Sequence, residues 1–325
     1  MSRPAGGPGP AHGHVPVLLG RVLSLLEPAI AGRRAVVVDA TVGMGGHAEA
    51  LLRRHPGLTL VGIDRDPEAI ARSGVRLAAY AARVYLVQAV YDAMPAVLHD
   101  LDLTRVDGVL LDLGVSSLQF DERRRGFSYA ADAALDMRID PTRGHSAQDV
   151  VNDYAVADLA RILREYGEER FARRIAESID AERRRERIVS TARLADLVRA
   201  AIPAATRRTG GHPAKRAFQA LRIEVNDELP ALRRALPAAV DALAVGGRIV
   251  VLSYHSLEDR EVKRALAARA ADSTPPDLPV PLAEHAPTLR LLTKGPDRAG
   301  EAELMSNPRA ASARLRAAER IKEAA

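Results

Sequence analysis

Between Arg34 and Leu113, short apolar runs alternate with longer stretches of helical periodicity. The runs Ala35 to Ala40, Leu58 to Asp64, Val84 to Val90 and Val106 to Leu113 have strand length and are rich in β-branched residues, which predicts four strands. Asp66 followed by Pro67 reads as a helix start, and Glu68 to Ala81 continues it; Asp92 is a candidate cap for a further short helix. Strands alternating with helices in this way predict βαβ units and a parallel sheet.

From about Asp149 to Val198 the period changes. Val150, Tyr154, Leu159, Ile162, Leu163 and Tyr166, then Phe171, Ile175 and Ile179, and later Leu194, Leu197 and Val198 recur at helical spacing with no strand-like run among them. Ser190 and Thr191 look like the cap of the last of these helices. Strand signals return at Arg248 to Ser253, after the turn Gly246-Gly247, and at Leu289 to Thr293; the proline-rich stretch Asp272 to Pro287 reads as a surface loop. The sheet is therefore interrupted, and the expected fold is α/β: a doubly wound, mostly parallel Rossmann-like sheet with an inserted helical domain. The expected division is a disordered tip at 1–13, a sheet domain from 14–125 and 213–325, and a helical insertion at 126–212.

Composition narrows the class. No apolar run approaches the roughly 20 residues of a membrane helix, and Met1 to Gly13 lacks the apolar centre of a signal peptide, so a cytoplasmic protein is expected. With no cysteine in its 325 residues, the chain has no disulfides, thiolate zinc sites or thiolate nucleophile. The net charge of +5 is modest, yet Arg161 to Arg216 holds fifteen Arg/Lys against eight Asp/Glu. Such a local excess suits a polyanionic partner, and it equally suits helix faces laced with ion pairs, such as Glu182 and Glu186 against Arg183 to Arg187.

The candidate chemistry sits at the strand ends. Asp39, Asp64 and Asp112 each close a predicted strand, and Gly43-Met44-Gly45-Gly46-His47-Ala48 follows the first. In an open parallel sheet, ligands lie outside the carboxyl ends of the strands, so the acids are expected around one crevice. The glycine pattern, with Asp64 about twenty residues on, suits a dinucleotide or S-adenosylmethionine. The acids favour the second: Asp39 beside the loop would repel a pyrophosphate and attract an ammonium group. Asp112 offers an acceptor across the crevice, and Gly114-Val115-Ser116-Ser117 forms a small-residue turn with room for a substrate.

Several longer motifs carry a specific resemblance. His14-Val15-Pro16-Val17-Leu18-Leu19, Asp39-Ala40-Thr41 with Gly45-Gly46-His47, Asp112-Leu113-Gly114-Val115-Ser116-Ser117, Arg125-Gly126-Phe127-Ser128, Leu135-Asp136-Met137-Arg138 and Tyr166-Gly167-Glu168-Glu169 resemble the RsmH (MraW) family of bacterial ribosomal RNA methyltransferases. So do Gln219-Ala220-Leu221-Arg222-Ile223 with Val225-Asn226-Asp227-Glu228-Leu229, Ser253-Tyr254-His255-Ser256-Leu257-Glu258-Asp259-Arg260, and Asn307-Pro308-Arg309. The chain departs from the family's usual residues at Met44, Ala48, Leu118 and Ala133-Ala134. The resemblance implies a Rossmann-like methyltransferase that moves a methyl group from S-adenosylmethionine to the exocyclic N4 of one cytosine in the decoding region of 16S ribosomal RNA, within the small ribosomal subunit. It further implies that Gly45, Gly46, His47, Asp64, Tyr91, Asp112 and Gln119 contact the donor, with Tyr91 placed to stack on adenine.

Methylation at carbon 5 of a pyrimidine ring needs a thiolate, which this chain lacks, so an amino or hydroxyl acceptor is expected. No catalytic residue and no metal-ligand set is assigned. Ser116, Ser117 and the backbone of the Leu113 to Ser116 turn are candidates for holding the acceptor amine; both serines could instead cap the next segment. Lys215, Arg216, Tyr254 and His255 are substrate candidates, with Arg207 and Arg208 nearby. Phe127 and Tyr129 suit base stacking or core packing, and Arg314 to Arg320 suit RNA contact or a terminal helix. Two other functions fit parts of the pattern. An NAD-dependent oxidoreductase would use the glycine loop and Asp64 but leave Asp112 and the basic insertion without a task. A non-catalytic RNA-binding protein would use the charge but not the three acids.

Overall fold

The computed structural model describes residues 15–114, 125–129, 132–204, 212–272, 274–275 and 285–323. Seven strands form one sheet in the order β3-β2-β1-β4-β5-β7-β6: β1 Ala35–Asp39, β2 Leu58–Asp64, β3 Val84–Gln88, β4 Val106–Asp112, β5 Leu243–Ser253, β6 Leu289–Leu291 and β7 Arg314–Arg320. β1 to β5 pair in parallel and β7 runs antiparallel to β5 and β6. Chain order reverses at β1/β4, the switch point beside which an open α/β sheet binds its ligand.

The strand residues alternate between two cores because successive side chains leave a strand on opposite faces. Val37, Leu60, Leu110, Val250 and Leu252 enter one apolar cluster, and Val38, Val61, Ile63, Val109, Leu111, Ile249 and Val251 the other. Asp66 caps the Pro67–Arg76 helix by accepting from the Glu68 N–H at 3.0 Å. That helix stops earlier than its periodicity predicts, giving way to a 3₁₀ turn at Ala78–Arg83. Asp92 is not a helix cap: it lies within the 3₁₀ turn Tyr91–Ala93 and pairs with Arg234.

The largest correction is at the carboxyl end. Arg314–Arg320 is a strand rather than a helix, inserted between β5 and β6. Its alanines and arginines are good helix formers, but Leu315 and Ala317 enter one core and Ala318 the other. Its cations are committed internally: Arg316 pairs with Asp259 at 2.7 Å, and Arg320, 3% exposed, donates to the carbonyls of Val240, Asp241 and Leu243.

Between β4 and β5 the chain forms helices at Ala147–Asp153, Val156–Glu165, Ala172–Arg183, Thr191–Ala201 and Lys215–Val225. Their apolar faces build a core of their own, running from Phe127 to Leu221 and including Ala214, Ala217 and Phe218. Ser190 caps the Thr191–Ala201 helix as expected, Oγ accepting from Arg193 N at 3.3 Å. Phe127 is buried in this core, whereas Tyr129 stacks on the His212 ring with centroids 4.4 Å apart. Among the basic residues of this stretch, Arg183 holds Asp180, Arg193 holds Glu182 and Arg187 holds Asp153, so many of the cations form ion pairs on the helix faces.

Asn226 stitches the helical segment to the sheet. Its buried side chain accepts from Ile139 N at 2.8 Å and donates to Met137 O at 2.8 Å and Arg222 O at 2.9 Å.

Candidate active site

A cavity of about 600 Å³ opens at the carboxyl ends of β1, β2, β4 and β5. Gly46, His47, Asp64, Tyr91, Asp112, Lys215, Tyr254 and His255 all line it. Ser116, Ser117 and Gln119, with Arg207 and Arg208, lie outside the described residues, as do residues 1–13. Arg216 is exposed beside the cavity rather than in its wall and donates to Glu168 O at 3.4 Å.

The glycines shape the floor. Gly43 and Gly45 take positive φ values of 50° and 76°, a region that L side chains rarely adopt. Gly46 opens the Gly46–Arg54 helix, and a Cβ there would meet Pro16 Cγ at 2.5 Å. Pro16 thereby packs against the glycine turn and lines the cavity with it.

The three acids differ in setting. Asp64 Oδ2 accepts from Gly43 N and Oδ1 from Asp66 N, each at 2.9 Å, so the acid is aimed by backbone amides. Burial pushes its carboxyl up to about 6 against the pull of those amides. Asp112 also lines the cavity; its N–H donates to Thr41 Oγ1 at 2.6 Å and its Oδ1 accepts from Tyr254 OH at 2.6 Å. Burial, then the Asp112 charge, drive the Tyr254 phenol far above its ordinary value.

Asp39 is 2% exposed and is not part of the cavity wall; its Oδ1 accepts from Thr41 N at 3.3 Å. Burial pushes its carboxyl up to about 7, opposed chiefly by His47. The crevice is thus faced by Asp64 and Asp112, with Asp39 behind them. His47 is 6% exposed, its Nε2 lies 3.5 Å from Asp112 Oδ2, and neither ring nitrogen has a hydrogen-bond partner among the described residues. An orphaned buried imidazole at a helix start, beside two carboxylates that line the cavity, suits a ligand with both cationic and hydroxyl groups.

Tyr91 donates from its hydroxyl to Glu228 O at 2.9 Å, and burial raises its phenol well above the ordinary range. His255 caps the Ser256–Ala270 helix, Nδ1 accepting from Glu258 N at 3.4 Å, while still lining the cavity. Among the wall residues with no role assigned from sequence are Arg222, Glu228 and Glu258. Each sits inside a matched motif, and charged residues flanked by Leu221, Ile223, Leu229 and Leu257 are the signal that could have singled them out.

The model of the MraW methylase family matches residues 11–321. The chain belongs to that family. It is 62% identical to the ribosomal RNA small subunit methyltransferase H of Saccharopolyspora erythraea over 311 residues, which cover 96% of this chain and 94% of that one. The protein of the same name from Thermobifida fusca is 62% identical over 314 residues, 97% of this chain and 95% of its own. That from Frankia alni is 64% identical over 308 residues, 94% of this chain and 95% of its own. The matched region takes in every strand of the sheet and all the cavity-lining residues named above.

Proposed function

We propose that this protein transfers a methyl group from S-adenosylmethionine to the exocyclic N4 of one cytosine in the decoding region of 16S ribosomal RNA, acting on the small ribosomal subunit in the cytoplasm. Family membership and the names of the relatives support ribosomal RNA methylation. The observation that carries the reading is the placement of Asp64, Asp112 and the Gly43 to His47 turn around one cavity.

Bound S-adenosylmethionine supplies a methyl group already activated on a sulfonium. In this reading Gly45, Gly46, His47, Asp64, Tyr91, Asp112 and Gln119 hold it. Asp64, aimed by two amides, accepts from the ribose hydroxyls; Asp112, fixed by Tyr254, presents negative charge to the cationic end; and the Gly46 and His47 segment receives the donor's carboxylate. Cytosine N4 is a weak nucleophile because its lone pair is delocalised into the ring, so alignment is the main demand on the protein, worth up to about 7–11 kcal/mol in favourable cases. The target base must leave its stack to reach the cavity. Residues 126–212 form the proposed RNA-gripping helical insertion, beside the sheet domain of 14–125 and 213–325, and Lys215, Arg216, Tyr254, His255, Ser116 and Ser117 remain the proposed substrate contacts.

A dinucleotide oxidoreductase would use the glycine turn and Asp64 but leaves Asp112, which also lines the cavity, without a task. Mass spectrometry of nucleosides from small subunits treated with the protein and labelled donor tests the proposal. Label is expected in N4-methylcytidine. Label confined to 5-methylcytidine, ribose methyls or adenosine would refute the N4 assignment, and absence of transfer would favour a non-catalytic RNA-binding role.

A further inference from the structure

One wall of the cavity carries a polar group that none of the steps above uses. Glu228 opens the Glu228–Ala242 helix, turned inward by Asp227 at a φ of 50°. Its Oε2 accepts from Arg222 Nη2 at 2.8 Å, while Oε1 is buried and has no hydrogen-bond partner among the described residues. The side chain is 10% exposed and lines the cavity.

None of the described neighbours donates to it, although Arg222 Nε and Arg65 Nε are also without a partner. Arg222 is already turned to Oε2, and the Tyr91 hydroxyl donates to the Glu228 backbone carbonyl. Glu258 Oε2 accepts from Tyr254 N at 2.8 Å, and its Oε1 lies 3.2 Å from His255 Nε2. Ligand atoms of Glu228, His255 and Glu258 lie within 4.8 Å of one another, the spacing of a metal site. The imidazole argues against a cation there: Nδ1 accepts from Glu258 N at 3.4 Å, which leaves the ring proton on Nε2 and no lone pair for a metal.

We infer that Glu228 Oε1 accepts a hydrogen bond from the exocyclic amino group of a nucleobase held in the cavity. The inference rests on the proposal that the cavity takes nucleobases, of which the donor's adenine and the target cytosine both carry such a group. A buried carboxylate oxygen pairs with an amine and repels a carbonyl, so it selects adenine over hypoxanthine, or cytosine over uracil.

Glu228→Gln turns this preference into a readout. Arg222 offers only donors, so the Gln carbonyl faces Arg222 and its NH₂ faces the cavity, replacing an acceptor by a donor. Calorimetry compares S-adenosylhomocysteine with S-inosylhomocysteine; a second arm, with S-adenosylhomocysteine present, compares small subunits carrying cytidine or uridine at the target position. The wild-type protein is expected to prefer the amine-bearing member of one pair roughly 10- to 100-fold, and Glu228→Gln to lose that preference. Loss in the first arm assigns the acceptor to the donor's adenine, and loss in the second to the target cytosine; either supports the inference. Glu228→Asp, which keeps the charge against Arg222 but withdraws it by one methylene, is expected to weaken the same preference and serves if the Gln variant fails to fold. Preferences unchanged in both arms overturn the inference. Failure of the wild-type protein to bind S-adenosylhomocysteine overturns the methyl-donor proposal itself, and this inference with it.

Discussion

The Arg125 guanidinium closes on Asp66 with two hydrogen bonds, Nη1 to Oδ2 at 2.6 Å and Nη2 to Oδ1 at 3.1 Å. Asp66 has no exposed side chain and Arg125 only 11%. The same Asp66 caps a helix through Glu68 N and donates its own N–H to Asp64 Oδ1. The point where the chain enters the helical segment is thus tied to the acid proposed to hold the ribose. Breaking one side of a buried pair strands the other charge, so Arg125→Ala is expected to cost about 3–5 kcal/mol in urea unfolding. A loss below about 1 kcal/mol would mean that water screens the pair.

Asp64→Ala is expected to weaken S-adenosylhomocysteine binding by about 1–3 kcal/mol, the cost of losing a charged acceptor for hydroxyls. Because burial pushes the Asp64 carboxyl up to about 6, wild-type affinity should rise between pH 5 and pH 7 as the acceptor ionises. Calorimetry at the two pH values checks this, and the slope should flatten in Asp64→Asn.

Asp39 yields a stability test. Its folded-state carboxyl lies near 7 against an ordinary 3.8, so the folded state binds the proton more tightly. The stability this contributes is present in full below about 3.8 and lost as pH rises through 7. Asp39→Asn removes the titration and keeps an acceptor for Thr41 N. The variant should therefore gain on wild type with rising pH, by up to about 4 kcal/mol at pH 8 and much less at pH 5. Urea unfolding of both proteins at the two pH values decides; a constant difference would show that Asp39 is ionised throughout.

Much of this was legible in the chain. β2 matches its expected bounds and β1, β3 and β4 come within two residues, because parallel strands buried on both faces are continuous apolar runs. The glycine turn and the strand-end acids were legible because a fixed chain order places them at one sheet edge. What escaped depends on pairing between distant segments. β7 reads as a helix locally and becomes a strand only because β5 and β6 offer it hydrogen bonds and Asp259 takes Arg316. Arg222 and Glu228 join the site through the turn at Asp227, a left-handed residue that no periodicity announces.

Tyr254→Phe isolates the strand-end pair. The hydroxyl donates to Asp112 Oδ1 at 2.6 Å, and a hydrogen bond to a charged group is worth about 1.5–3 kcal/mol. Methyl transfer is expected to fall by roughly 10-fold or more, while the fold survives because the ring still packs on Gly114, where a Cβ would lie 3.3 Å from Tyr254 Cδ2. Turnover equal to wild type in a labelled-donor assay would remove the pair from the site.

Lys215 and Arg216 stand next to each other at the start of one helix, yet only Lys215 lines the cavity. If both touch phosphates, each releases counterions on binding, and each substitution by Ala should lower the slope of log affinity against log salt by about 0.7–0.9. Their positions then separate them. Lys215→Ala should also reduce turnover at saturating subunit concentration, since its side chain lines the cavity proposed to take the flipped base, whereas Arg216→Ala should weaken binding alone. S-adenosylhomocysteine affinity should stay unchanged in Arg216→Ala, which keeps the wall intact. Salt titrations of subunit binding, paired with single-turnover methyl transfer, give both readouts. An unchanged salt slope in both variants would make these cations a solvated face and move the RNA contact elsewhere on the helical segment.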